Sequence, residues 1–188
     1  MPSKLIEFML LIGKLKRVRR TGWVMRNVPD VESVADHMYR MGVLAMLLNG
    51  DDGSQPLDKD KCIKMSLVHD LAECIVGDIT PHCGVSNEEK HEKEKAAMIH
   101  LTTLLDKKIS EEIFALWKEY EEQNTPESRA VKDLDRFDMI LQAYEYEDML
   151  ERPSSLEEFF NTTNGKFQNP QIIKWTEELY ALRNTKKE

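Results

Sequence analysis

This sequence has few of the residues that mark fibrous, disulfide-linked or membrane-spanning proteins. Among 188 residues there are 8 glycines and 7 prolines, too few for a fibrous or low-complexity chain. No apolar run approaches the roughly 20 residues that a membrane helix needs. The apolar stretch at 8–12 is short, and no small-residue cleavage pattern follows it, so no secretory signal is predicted. We therefore expect an intracellular, cytoplasmic protein that does not bind membranes.

Basic charge is also scarce. The chain has 26 lysines and arginines against 34 aspartates and glutamates, a formal net charge of -8. This balance argues against sequence-independent binding to a nucleic-acid polymer, which depends on a basic surface. It leaves room for a small anionic ligand held by a few local cations. The length and the 41% hydrophobic content predict a single domain over 1–188, with a charged C-terminal tail.

The three cysteines, Cys62, Cys74 and Cys83, are odd in number and show no C-x-x-C spacing. This pattern argues against a disulfide framework and against a thiolate zinc site. One interpretation is that Cys74 and Cys83 bind zinc together with His82. Ordinary thiols are the favoured interpretation, because structural zinc usually needs four closely organised ligands.

Apolar residues recur at helical spacing along almost the whole chain, and no convincing period-2 segment is present. The fold class predicted is therefore all-α. Loop signals stand at 21–23, 27–30, 49–56 and 80–84. The predicted helices cover 5–12, 33–48, 58–77, 87–105, 109–120, 126–150, 156–161 and 170–183.

The segment His69-Asp70-Leu-Ala-Glu73 lies late in the predicted helix 58–77. Residues three and four apart share a helix face, so Glu73 is expected beside both His69 and Asp70. One imidazole and two carboxylates suit a divalent metal with mixed nitrogen and oxygen ligands, and a carboxylate there could handle the proton of a water. The alternative is that His69 packs in the core and the acids are solvated.

Three further features stand out: His37 within the helix 33–48, the acids Asp133, Asp135 and Asp138 in one helix, and Asp78 where the helix 58–77 ends. A single helical histidine is more often a packed or surface residue than a ligand. Acid clusters on helices are usually solvated, but apolar residues between these acids place at least one of them near the apolar face. The spacing does not say which acid that is. Asp78 is either a polar ligand at a pocket mouth or a turn residue.

The order His37, His69-Asp70 and Asp135 on three predicted helices is more specific than any of its members. Together with its flanks, it resembles the HD-domain superfamily of metal-dependent phosphohydrolases. The flanks look like the 5'-deoxynucleotidase branch, of the small eukaryotic HD-domain-containing protein 2 type. The resemblance covers about residues 4–180, through the segments 14–23, 26–28, 32–40, 69–79 and 132–135.

The resemblance implies a helical domain with a metal site between its helices. By the family's motif, His37, His69, Asp70 and Asp135 are the ligands of the main divalent metal, which would be Mn²⁺, Co²⁺ or Mg²⁺. It also implies hydrolysis of deoxyribonucleoside 5'-monophosphates to deoxynucleoside and phosphate, and assembly as a homodimer.

Two acidic residues have alternative roles under this resemblance. Glu73 matches the catalytic glutamate, and Asp78 matches the acid associated with rejection of a ribose 2'-hydroxyl. In the eukaryotic branch, Glu73, Asp78 and the backbone of Ile79 would instead hold a second metal. The loop after Asp78 is shorter than in bacterial members, so the sugar pocket is expected to differ in shape.

The basic stretch at 14–20 and Arg26 provide cations for a phosphate dianion. Guanidinium groups among Arg19, Arg20 and Arg26 could clamp the phosphate bidentately, or the run could be a solvated helix end. Bacterial members have an Arg-Trp pair where this chain has intervening residues, so the choice between Arg19 and Arg20 stays open. Trp23 either stacks on a base or covers the core, and the core is favoured.

Two rival functions remain at this point. One is another HD phosphohydrolase, acting on cyclic nucleotides or nucleoside polyphosphates. The other is a non-catalytic helical scaffold that a metal stabilises. The presence of Glu73 speaks against the scaffold, which has no need of a catalytic glutamate.

Overall fold

The computed structural model describes residues 2–49 and 56–185, and the regular structure of these residues is helical, apart from one isolated antiparallel bridge between Arg19 and Ser33. The all-α prediction is confirmed. The α-helices of the described residues are α1 Lys4–Ile12, α2 Thr21–Val24, α3 Val34–Met46, α4 Lys59–Ser66, α5 Glu73–Val76, α6 Asn87–Thr102, α7 Lys107–Glu122, α8 Pro126–Met149, α9 Glu157–Thr163 and α10 Pro170–Thr185, with 3-10 turns at Gly13–Lys16 and Pro81–Cys83.

Most helices begin and end within a few residues of the predicted positions. Helix α8 covers almost all of the predicted 126–150, and α7 extends the predicted 109–120 by two residues at each end. The predicted loop residues 50–55 and the tail residues 186–188 lie outside the described residues.

Helix α3 begins with a capping box. The hydroxyl of Ser33 accepts the N–H of Asp36, and the carboxylate of Asp36 accepts the N–H of Ser33. This exchange satisfies N–H groups that the first helical turn leaves without partners. Met41 and Ala45 line the fully buried face of α3, and His37 is buried beside them.

The prediction of one continuous helix over 58–77 is wrong. Helix α4 ends at Ser66 and α5 begins at Glu73, and a tight turn joins them. Within this turn, Leu71 donates to the carbonyl of Val68 and Glu73 to that of Asp70, both three residues back. In a regular α-helix, consecutive side chains diverge by about 100° around the helix axis, and the apolar residues of this turn keep the same spacing. Apolar periodicity therefore does not distinguish the turn from a continuous helix.

The prediction of a loop at 21–23 is also wrong, because these residues form the short helix α2. Its first N–H group, at Thr21, donates to Oδ2 of Asp78 at 2.5 Å, and the Thr21 hydroxyl donates to the Asp78 carbonyl at 2.7 Å. A carboxylate 57 residues away thus caps this helix. No local pattern around Gly22 reveals such a partner.

The core lies where α3, α4 and α8 pack against one another, with α7 beside α4 and α8. Fully buried apolar side chains from each helix fill it, including Met65, Leu134 and Ile140. Helix α6 packs against α5 and α7 and closes the side of the molecule that faces the turn after α4. Among the described residues, no helix combines the length and the apolar character that crossing a membrane requires.

Asp133 fastens the segment that precedes α10 to the middle of α8. Its carboxylate is fully buried, and its Oδ2 accepts the backbone N–H groups of Gln168 at 2.6 Å and Asn169 at 2.7 Å. Its Oδ1 lies 3.1 Å from a guanidinium nitrogen of Arg136. This acid of the cluster therefore has a structural role and points away from the two buried histidines.

We predict that Asp133→Ala lowers the free energy of unfolding by about 2–3 kcal/mol, because two buried N–H groups lose a charged acceptor. Urea denaturation followed by circular dichroism measures the change. The exposed Glu177→Ala on α10 is the control and should shift stability by less than about 0.5 kcal/mol. Equal effects of the two substitutions would contradict the role given to Asp133.

Candidate metal centre

Two buried imidazoles are held in the same way at the centre of the molecule. Nδ1 of His37, on α3, lies 2.7 Å from Oδ2 of Asp138 on α8. Nδ1 of His69, in the turn after α4, lies 2.9 Å from the carbonyl oxygen of Ser66. The Asp138 carboxylate and the Ser66 carbonyl can only accept a hydrogen bond, so Nδ1 of each ring carries a proton. In each neutral imidazole this leaves the lone pair on Nε2.

The two Nε2 atoms point toward two carboxylates. Oδ2 of Asp70 lies 3.2 Å from Nε2 of His69 and 3.8 Å from Nε2 of His37. Oδ1 of Asp135, on α8, lies 3.3 Å from Nε2 of His37. The structure thus brings together all four residues that the resemblance names as ligands of the main metal.

This donor set fits a divalent metal ion. Neither Nε2 has a hydrogen-bond partner within the described part of the chain, although both are buried. Buried polar atoms without partners are uncommon and costly. His37, His69 and Asp70 offer ligand atoms that all lie within 4.8 Å of one another. Imidazole and carboxylate ligands suit Mn²⁺, Co²⁺ and related ions. None of the three cysteines belongs to this cluster of the described residues.

The charges of the cluster favour a cation at its centre. Burial lowers the pKa of His37, but the carboxylates of Asp135 and Asp138 outweigh burial and raise it to about 9. Burial would raise the pKa of Asp70, yet neighbouring His69 holds it below its usual range. The site therefore attracts positive charge at neutral pH, which a metal ion could supply in place of a proton.

Asp138 acts on the site through His37. It is fully buried, and besides His37 it binds Arg40, whose Nε donates to Oδ1 at 2.5 Å. A carboxylate behind a ligating histidine orients the ring and makes its other nitrogen a better donor. The sequence placed Asp138 in the acid cluster without a role. The separation of 101 residues from His37 explains why spacing could not assign one.

The two carboxylate oxygens of Asp135 have different surroundings: Oδ1 faces His37, and Oδ2 is hydrogen-bonded to other side chains. Its Oδ2 accepts from the hydroxyl of Tyr120 at 2.7 Å and from Nζ of Lys132 at 2.9 Å. Burial would raise its pKa, but Lys132 and His37 hold it well below the usual range. Oδ1 is thereby kept ionised and directed at His37.

Glu73, Asp78 and Ile79 line a cavity of about 360 Å³ together with His69, Asp70 and Asp135. Oε2 of Glu73 is buried and has no hydrogen-bond partner in the described residues. Burial raises the pKa of Glu73 well above its usual range, and the charges of Asp70 and Asp78 raise it further. Asp78 already accepts the N–H of Thr21, so only part of its carboxylate is available to a ligand.

Among the predicted phosphate-binding arginines, Arg20 lies in this cavity. Its Nη1 is 3.5 Å from Oδ2 of Asp70 and 3.9 Å from Oδ1 of Asp78. These distances exceed the usual hydrogen-bond length, so its N–H groups remain available to an anion. Arg19 instead donates to the backbone oxygen of Val31 at 2.6 Å. The structure therefore separates the two candidates that the sequence left open.

A second cavity of about 240 Å³ adjoins the first and shares Arg20 with it. Trp23 forms part of its wall but is 2% exposed, and its ring packs on Phe159 at 4.3 Å between centroids. The favoured interpretation of Trp23 as a core residue agrees with this packing. Arg26 lines the cavity mouth, where Glu158 binds it at 2.6 Å.

Comparison with known proteins places this geometry in a family. The family model described as HD domain matches residues 12–173. The chain belongs to the HD domain family. One curated relative is 5'-deoxynucleotidase HDDC2 of Xenopus laevis, 53% identical over 183 residues, which are 97% of this chain and 89% of that protein. The protein of the same name from Homo sapiens is 50% identical over 181 residues, 96% of this chain and 87% of that one.

A solved structure has a similar fold. The conserved hypothetical protein from Pyrococcus furiosus is 35% identical to this chain and superimposes with a TM-score of 0.77. The match covers 94% of this chain and 99% of that chain.

Sequence analysis missed several cavity residues of this HD domain protein, among them Lys90, Tyr120 and Lys132. Lys132 could have been found, because it precedes Asp135 by three residues on one helix and so shares its face. Lys90 and Tyr120 lie on α6 and α7, which carry no histidine or aspartate of the predicted ligand set. Their position depends on how these helices pack, which residue spacing does not report.

We predict that Asp138→Asn lowers the affinity for Mn²⁺ by about 10–100-fold, because His37 loses the carboxylate that orients it. Equilibrium dialysis of Mn²⁺ against the purified protein measures this. Asp36→Asn, on the same helix as His37 but exposed, is the matched control and should leave the affinity unchanged. Unchanged Mn²⁺ binding in Asp138→Asn, with the protein still folded, would contradict the proposed role.

Proposed function

We propose that this protein is a metal-dependent 5'-deoxynucleotidase, which hydrolyses deoxyribonucleoside 5'-monophosphates to deoxynucleoside and phosphate. The observation that carries the proposal is the cluster of two unpartnered Nε2 atoms and two carboxylates, with Arg20 in the same cavity. Relatives named 5'-deoxynucleotidase at 50–53% identity support it.

In this proposal, His37, His69, Asp70 and Asp135 hold one divalent ion. When bound, such an ion supplies Lewis-acid charge for a phosphate oxygen and makes a water molecule more acidic. Two neutral imidazoles and two carboxylates keep the net ligand charge low, which preserves that Lewis acidity. The protein holds these groups in place beforehand, so little reorganisation accompanies the reaction.

Glu73 is proposed as the general acid or base. Its buried Oε2 has no hydrogen-bond partner among the described residues, and a pKa raised by burial suits a group that transfers a proton. From this position it could take a proton from the attacking water or give one to the 5'-oxygen of the leaving nucleoside. The second-metal role for Glu73, Asp78 and the Ile79 backbone remains the alternative for these residues.

Arg20 is proposed as the arginine that binds the phosphate, with the nucleoside in the adjoining 240 Å³ cavity. That cavity has apolar walls from Trp23, Phe159 and Met139, which contact a base without reading its hydrogen-bonding edge. Little preference among bases follows from such walls. Arg26 and its partner Glu158 would lie near the base, whereas Arg19 is directed elsewhere.

The identity of the ion, the assembly and the location complete the proposal. We expect Mn²⁺, Co²⁺ or Mg²⁺ as the ion, a homodimer as the assembly, and the cytoplasm as the location. A single domain over 1–188 is proposed as well. A nucleotide-sized cavity in a chain of net charge -8 favours a small substrate over a nucleic-acid polymer.

The proposal is tested by stripping the protein with a chelator and restoring Mn²⁺, Co²⁺, Mg²⁺ or Zn²⁺ separately. Phosphate release from paired deoxyribo- and ribonucleoside 5'-monophosphates is then measured. We predict no release from the stripped protein, and restored release that favours the deoxy series. Absence of release with every metal would contradict the function and leave cyclic nucleotides, nucleoside polyphosphates or a scaffold role to examine.

We predict that Glu73→Gln lowers kcat by about 10²–10⁴-fold while Mn²⁺ remains bound, because the variant keeps the shape but loses the proton-transfer group. Steady-state kinetics and metal analysis are carried out on the same preparation. The exposed Glu92→Gln on α6 is the control, with kcat unchanged. If Glu73→Gln released its metal, the second-metal role would replace the acid–base role.

We predict that Asp78→Ala lets ribonucleoside monophosphates compete about tenfold better, since an acid that rejects a 2'-hydroxyl is removed. The ratio of kcat/KM for the deoxy and ribo substrates measures this. Thr21→Val serves as the control, because it removes a hydrogen bond to the Asp78 carbonyl and leaves the carboxylate in place. An unchanged ratio in Asp78→Ala would contradict this role.

A further inference from the structure

The wall that α6 contributes to the cavity carries a cation that the proposed mechanism does not use. Lys90 lines the cavity together with His69, Asp70 and Glu73. Its side chain is 36% exposed, so part of it lies within the protein and part faces the cavity solvent.

Lys90 forms an ion pair with a carboxylate, and this pair leaves hydrogen-bond donors of its ammonium group available. Glu94, one turn further along α6 and 7% exposed, has its Oε1 3.5 Å from Nζ of Lys90. That distance is longer than a good hydrogen bond between charged groups, about 2.7–2.9 Å. Lys132 differs, because Tyr120 and Asp135 bind its Nζ at 2.8 and 2.9 Å. Of these two lysines, Lys90 therefore has the ammonium donors that an incoming anion can use.

The acidic charge of the cavity makes the ammonium donors of Lys90 important for binding an anion. Three side-chain cations line the cavity: Arg20, Lys90 and Lys132. Six carboxyl groups line it as well: Asp70, Glu73, Asp78, Glu94, Glu121 and Asp135. The proposed metal ion offsets part of this acidic charge, and each side-chain cation that faces the cavity further lowers the repulsion that a phosphate dianion meets there. Burial would lower the pKa of Lys90, but Glu94 and the cluster carboxylates outweigh it and raise the pKa, so the ammonium stays charged.

We propose that Lys90 binds the phosphate group of the substrate, as a second protein cation besides Arg20. The ion pair with Glu94 fixes where the ammonium lies, and the phosphate oxygens complete its hydrogen bonding. The proposal rests on the proposed function for the identity of the substrate. It does not depend on turnover, because any phosphate bound beside the metal would meet the same ammonium.

The test is titration of inorganic phosphate into the Mn²⁺-loaded protein by calorimetry, followed by steady-state kinetics with a deoxynucleoside 5'-monophosphate. Loss of one charged hydrogen bond predicts that Lys90→Met raises the dissociation constant of phosphate, and KM, about tenfold. Mn²⁺ content should not change. Lys90→Arg keeps the cation and should recover most of the affinity.

Lys93→Met is the matched control. Lys93 lies on the same helix, forms a 2.7 Å ion pair with Glu89, and does not line the cavity. The phosphate affinity of the Lys93→Met protein should equal that of the wild type.

Two results would overturn the role of Lys90: wild-type phosphate affinity in a folded, Mn²⁺-loaded Lys90→Met protein, or equal losses in Lys90→Met and Lys93→Met. A wild-type protein that binds phosphate but hydrolyses no deoxynucleoside monophosphate would contradict the proposed function instead. In that case the phosphate titrations still decide the role of Lys90.

Discussion

The hydrogen bond between Nδ1 of His37 and the buried carboxylate of Asp138 is the interaction on which the site depends. It joins α3 to α8, fixes the orientation of the ring, and leaves Nε2 directed at Asp135 and Asp70. The carbonyl of Ser66 does the same for His69. Two buried nitrogens are thus left without hydrogen-bond partners among the residues that the structure describes. A fold tolerates this cost where a ligand restores the missing interaction.

The tight turn between α4 and α5 is the second constraint. It places His69 and Asp70 together at the cavity, and it lets α5 begin at Glu73 with its carboxyl buried beside them. Concentrating acids in this way repels an anionic substrate, so cations must balance them. Arg20 and, in our proposal, Lys90 provide that balance from two different segments. Metal site and phosphate site are in this sense one electrostatic arrangement.

The helices could be predicted from apolar periodicity, which is a local feature, and the proposed metal ligands from the resemblance of their order along the chain to the family's motif. What could not be predicted depends on distant partners. The cap that Asp78 places on Thr21 spans 57 residues, and it turned a predicted loop into a helix. Spacing alone likewise did not separate the acids of α8, although the family resemblance named Asp135, and it is packing that gives each acid a different neighbour. The interruption of the helix 58–77 left the apolar pattern unchanged and was therefore missed.

The most direct test of the account is the anomalous diffraction of crystals of the Mn²⁺-loaded protein. The account predicts a manganese peak within bonding distance of Nε2 of both His37 and His69, with carboxylate oxygens of Asp70 and Asp135 completing the ligand set. A loaded crystal in which the ion lies elsewhere, or in which either Nε2 donates a hydrogen bond to a protein oxygen instead of binding the ion, would contradict it.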